Sequence, residues 1–106
     1  MLTKKYIKSR KVSKITFEMP QDELPEGIQV ESIHLVGDFN NWNTSATPMR
    51  LLKKGVYKTT LELSPGQEYK FRYLVNGDQC CNDWHADAYI PNDLGLDNCV
   101  VVTPAG

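Results

Sequence analysis

Period-two alternation of apolar and polar residues runs through most of this chain, and it predicts strands. Ile15, Phe17 and Met19 alternate with Lys14, Thr16 and Glu18, the pattern of a half-buried strand that Pro20 ends. A polar connection over residues 21–27 follows, and residues 32–39 read as the next strand on Ile33, Leu35 and Val36. Residues 49–53 are short and mixed, with a hairpin turn at Lys54-Gly55. Tyr57, Thr59, Leu61 and Leu63 then share one face, with Lys58, Thr60 and Glu62 on the other. After the turn Ser64-Pro65-Gly66-Gln67, residues Tyr69, Phe71, Tyr73 and Val75 line one side of a strand whose opposite side carries Lys70, Arg72 and Leu74. Asn76-Gly77 is the dipeptide of tight hairpins. The tail from Asp83 is less regular: residues 91–95 read as a loop, and Cys99-Val100-Val101-Val102 closes as a last strand. No stretch keeps a helical period, so the prediction is an all-β sandwich of short strands.

The totals narrow this picture. A chain of 106 residues is one domain with one core. A formal charge of −1 gives no general attraction to nucleic acid or to an anionic membrane, and no apolar run is long enough to span a bilayer. Residues 1–13 hold Lys4, Lys5, Lys8, Arg10 and Lys11 without an acidic residue. They are read as a basic, flexible lead-in to a domain over residues 14–106, with a basic arm for a phosphate-bearing partner as the other option. Asp78, Asp83, Asp87, Asp93 and Asp97 lie late in the chain, so its two ends carry complementary charge. Three cysteines, Cys80, Cys81 and Cys99, do not make a disulfide framework, and a reduced, cytoplasmic protein is the expectation. A vicinal disulfide or a soft-metal site at Cys80-Cys81 is the less favoured alternative, because no CxxC spacing accompanies it.

The chemistry concentrates in Val36-Gly37-Asp38-Phe39-Asn40-Asn41-Trp42. Asn40-Asn41 is turn chemistry, so Phe39 can point back to the core while Trp42, past the turn, points outward. An exposed indole beside amides offers a sugar a flat apolar face and hydroxyl partners. Trp42 as one more core aromatic is the plain alternative. Asp83, His85 and Asp87 alternate like metal ligands, but with no third strong donor they read as polar residues of a surface loop. His34, within a strand, reads as a satisfied structural residue, and Asp38 as a turn residue rather than a general base. Paired carboxylates need a cleft that separates their pKa values. A small sandwich offers a face, so no catalysis, cofactor or metal is expected.

Gly37-Asp38-Phe39-Asn40-Asn41-Trp42, then Pro65-Gly66, Tyr69-Lys70-Phe71, Val75-Asn76-Gly77 and Leu94-Gly95 with Asn98, taken in order, resemble carbohydrate-binding module family 48. This is the early-set glycogen-binding domain found in the AMP-activated protein kinase beta subunit and at the N-terminus of isoamylases and branching enzymes. The resemblance covers roughly residues 14–102. It implies an immunoglobulin-like β-sandwich and non-catalytic binding of α-1,4-glucan, such as glycogen or starch, here by a small stand-alone module. It further implies that Trp42 is the first stacking ring, that Arg72 bonds sugar hydroxyls, and that Leu94 and Asn98 complete the site from the last loop.

Two departures stand against it. Where the family has a second tryptophan after its valine-aspartate-glycine turn, this chain reads Asp78-Gln79-Cys80-Cys81, and Trp84 has to reach back to replace that ring. Leu96 stands where the family has threonine. Losing one aromatic contact weakens binding up to about tenfold, to a dissociation constant of order 0.1–1 mM for a short oligosaccharide. The alternative is a protein-interaction module that docks onto a glucan-metabolising enzyme, a glycoside hydrolase or a branching enzyme, with Trp42 and Trp84 as anchors.

Overall fold

The alternation at Ser13, Ile15, Phe17 and Met19 buries all four side chains and makes strand β2 (Val12–Pro20) the inner wall of one sheet. The computed structural model describes residues 2–24, 26–27, 29–91 and 97–105. Around β2 lie β1 (Leu2–Ile7), β5 (Val56–Leu63) and the two-residue β4 (Arg50–Leu51), in the order β1-β2-β5-β4. The second sheet has the order β3-β6-β9-β8, from β3 (Ile33–Gly37), β6 (Glu68–Val75), β9 (Asp97–Val102) and β8 (Ala88–Pro91). A fifth strand, β7 (Gln79–Cys81), also pairs with β6. Every pairing is antiparallel, and the two sheets pack as an immunoglobulin-like β-sandwich.

The core forms where inward residues of the two sheets meet. Phe17 of β2 meets Phe71 of β6 edge-on at 5.2 Å between ring centres, and Tyr73 continues the stack 5.7 Å from Phe71. Leu35, Ile33, Val75, Cys99 and Val101 complete the far side, all buried. Burying a side chain of this size stabilises the fold by about 1.5–3 kcal/mol. Thr103, also buried, stitches the Ser64–Gln67 turn to the last strand: its hydroxyl donates to the Ser64 carbonyl at 2.7 Å and accepts the Gln67 N–H at 2.9 Å.

Residues 2–7 differ from the expected lead-in. They form β1, paired with β2 along its whole length from Leu2–Phe17 to Ile7–Val12. The register puts Lys4 beside Ile15 on the inward-facing side, and its ammonium reaches across the gap to Asp87 of the other sheet at 2.5 Å. An inward charge on an edge strand also deters pairing with other chains. The complementary charge of the two chain ends is therefore a specific ion pair that closes one flank of the sandwich. On the other flank the chain runs from β3 to β4: Leu35 N–H bonds the Thr47 carbonyl and Met49 N–H bonds the Ile33 carbonyl, each at 2.9 Å.

Asn76-Gly77 makes the β6–β7 turn with positive φ at both residues, 54° and 79°. The Asn76 side chain does more than turn the chain. Its carbonyl accepts the Glu31 and Ser32 N–H groups at 2.7 and 3.2 Å, and its amide donates to the Gln29 carbonyl at 2.9 Å. This fastens the segment that leads into β3. No helix among the described residues is long and apolar enough to cross a membrane.

Candidate functional site

The turn after β3 begins where the chain has no room for a side chain. A Cβ on Gly37 would lie 2.5 Å from the Lys70 backbone carbonyl, so β3 and β6 approach more closely here than any other residue permits. Residues 38–40 then form one short helical turn. Asn40 holds it: its side-chain carbonyl accepts the Gly37 N–H at 3.1 Å, and its amide donates to the Leu35 carbonyl at 2.9 Å and the Thr47 hydroxyl at 3.0 Å. Phe39 turns inward against Phe17 and Tyr69, with centroids 5.7 and 6.1 Å away.

Asn41 and Trp42 follow, both at φ 57°. Two successive left-handed residues that are not glycine cost about 1–2 kcal/mol each, and local hydrogen bonds offset this. The Trp42 N–H donates to the Gly37 carbonyl at 2.9 Å, and its indole N–H donates to Asp38 Oδ1 at 3.0 Å. The other oxygen of Asp38 accepts the Lys70 N–H at 2.8 Å. Trp42 is left 36% exposed, as an outward platform rather than a core ring. Asp38 is thus the brace that ties the indole to β6.

Beside the brace, β6 turns Lys70 and Arg72 to the outer face of its sheet. Arg72 Nε donates to Asn82 Oδ1 at 3.0 Å, which fixes the guanidinium on the side away from β3. Asn98, half-buried in β9, lies on the same face one step beyond the Phe71–Cys99 pair. Leu94 lies outside the described residues. Lys70 is the functional candidate that sequence reasoning passed over; its place next to Trp42 follows from the Asp38 bond, which alternation alone does not reveal.

Trp84 is 64% exposed and lines a shallow groove of about 260 Å³ with Glu23, Leu24, Cys80, Cys81 and Asn82. It therefore stands beside the two cysteines that replace the expected second ring. β7 and β3 lie on opposite sides of β6, so Trp42 and Trp84 flank that strand instead of forming one close pair. A larger groove on the other sheet, lined by Pro48, Arg50, Lys58, Thr59 and Thr60, offers no aromatic ring.

Asp83 is not the surface residue its composition suggests; it is 1% exposed. Its Oδ2 accepts the Tyr73 hydroxyl and its Oδ1 the His85 N–H, each at 2.7 Å. Burial, and then the Asp83 charge, push the Tyr73 phenol well above its ordinary range, so it stays a donor. Burial likewise raises Cys81, and pushes Cys99 up to about 11. His34 departs from expectation in another way, since its buried Nδ1 has no hydrogen-bond partner among the described residues. No group of three or more His, Cys, Asp or Glu side chains among the described residues is placed to hold a metal.

A two-sheet sandwich that sets an aromatic ring, basic side chains and amides on an open face has the build of a carbohydrate-binding module. Residues 29–90, more than half of the chain, match the family model of carbohydrate-binding module 48, the isoamylase N-terminal domain, and the chain belongs to that family. The match takes in Trp42, Lys70, Arg72 and Trp84. No curated protein matches the chain.

Proposed function

We propose that this protein is a non-catalytic α-glucan-binding module for glycogen- or starch-like polymers, and that its site is the outer face around β6. Trp42 stacks on a glucose ring, and Arg72 and Asn98 bond its hydroxyls together with Lys70; Leu94, expected from the resemblance to complete the site, lies outside the described residues. Trp84, on the far side of β6, supplies a second ring to a longer chain. The observation that carries this reading is the Asp38 brace. A carboxylate and two left-handed residues hold a large apolar ring about one third exposed, and packing alone gives no reason to do so.

Affinity electrophoresis in gels with and without glycogen tests it. The parent chain is retarded and Trp42→Ala is not, while both keep the same thermal unfolding midpoint. A mutant retarded as strongly as the parent overturns the assignment. With a dissociation constant of order 0.1–1 mM per site, useful retention comes from many engagements along one polymer.

The exposed Tyr89, Ile90 and Val102 on β8 and β9 favour a second reading, docking onto a glucan-metabolising enzyme such as a glycoside hydrolase or branching enzyme. β8 is an edge strand with four exposed residues and no charge. Stoichiometric capture of such an enzyme without retention on glycogen would favour that role.

A further inference from the structure

We infer that Asp83 is a positioning residue for the binding face, a buried peg that sets where Trp84 and Arg72 stand; this rests on the glucan-binding reading above. All four polar groups of Asp83 are engaged inside the sandwich. Its carboxylate accepts from the Tyr73 hydroxyl and the His85 N–H, its own N–H meets the Cys99 sulfur at 3.2 Å, and its carbonyl accepts the Tyr89 hydroxyl. The residues on either side face outward, and the glucan-binding reading assigns both to the binding face. Asn82 holds the Arg72 guanidinium through Nε, and Trp84 projects into water. An inward anchor between two outward functional side chains fixes both without touching ligand.

Stability alone is a poor account of this arrangement. A buried carboxylate is hard to desolvate, and an apolar side chain of similar volume is often as stabilising. What the carboxylate adds is direction, because it ties the 82–85 turn at the same time to β6 through Tyr73 and to its own next residues through His85. The high pKa of the Tyr73 phenol keeps that donor protonated throughout the neutral range.

Tyr73→Phe removes the donor and leaves the ring in the core; Asp83→Asn keeps the size and removes the charge. Each is expected to weaken glycogen retardation about three- to tenfold, with the chain still folded at the assay temperature. In a Trp84→Ala background the same substitutions are expected to add nothing beyond the effect on Arg72, giving a clear coupling in a double-mutant cycle. In a Trp42→Phe chain, whose one indole is Trp84, Tyr73→Phe is expected to lower emission anisotropy and raise quenching by iodide. Unchanged affinity and unchanged Trp84 emission in both variants would overturn the inference and leave the Trp42 site standing. Losses that add in full to Trp84→Ala would make Asp83 a general stabiliser and also overturn it. If Trp42→Ala binds like the parent, it is the glucan assignment that falls.

Discussion

The indole N–H of Trp42 donates to the carboxylate of Asp38, four residues earlier, at 3.0 Å. Because the same carboxylate also takes the Lys70 N–H, the ring's position is referred to the central strand of its sheet. Asp38→Ala is expected to weaken glycogen binding about three- to tenfold although Trp42 remains. It also frees an exposed backbone donor to water, so urea unfolding should register a loss of only about 0.5–1.5 kcal/mol. Asp38→Asn is expected to recover only part of the binding, since one amide oxygen cannot accept both bonds and its NH₂ would face a donor.

Gly37→Ala tests the close approach of β3 to β6. Gly37 has extended backbone, φ 178°, so the added methyl meets steric obstacles alone, the Lys70 carbonyl 2.5 Å away and the Phe39 ring 2.8 Å away. Overpacking against backbone is expected to cost about 1–3 kcal/mol, read as a lowered unfolding midpoint. Because the strand pair has to part, glycogen affinity should fall with it.

Alkaline pH should destabilise the fold through its buried acids. Cys99 rises from 9.0 to about 11, Cys81 rises too, and the Tyr73 phenol is held well above 10.0. In each case the neutral form is favoured in the folded chain. The stability from the thiols is complete below pH 9 and is lost as pH rises above it, through about 11 for Cys99; that from Tyr73 is complete below pH 10 and is lost at higher pH still, since in each case the unfolded chain ionises first. A urea midpoint that stays level from pH 7.5 to 10.5 would contradict this. In the folded chain a thiol reagent should modify exposed Cys80 and spare Cys81 and Cys99.

The flank closed by Lys4 and Asp87 should respond unequally to its two partners. Both side chains are about a quarter to a third exposed, 27% and 30%. Lys4→Ala is therefore expected to cost no more than about 1 kcal/mol, and less in high salt. Asp87→Ala should cost more, since the same oxygen also accepts the Val102 N–H at 2.7 Å. Unfolding of the two single mutants and the double mutant separates the ion pair from the backbone bond.

Strands β2, β5 and β6 were legible because one face of each is buried, and alternation in sequence maps directly onto inside and outside. β1 escaped for the opposite reason: Lys4 points inward and Lys5 outward, so an edge strand has the composition of a basic tail. β8 escaped because Ala-Tyr-Ile-Pro is exposed on both faces and does not alternate. In the site, Trp42 could be placed from its turn, and Phe39 from its spacing. The position of Lys70 beside Asp38 and the burial of Asp83 could not, because each depends on a hydrogen bond between residues that only the fold brings together: Lys70 with Asp38, and Asp83 with Tyr73.

β6 is covered on one side by β3 and on the other by β9 and β7 in succession, so that each of its residues has a strand neighbour. Its amides are therefore expected to exchange with deuterium slowly, as are those of β2, which β1 and β5 cover in the same way. The outer face of this strand is also where Lys70 and Arg72 stand, with Trp42 braced by Asp38 on one side and Trp84 exposed on the other. A surface built this way has little freedom left to lose when it is occupied. If glucan binding uses both rings, the polymer is expected to take up the spacing the protein sets, so that the ordering falls on the glucan.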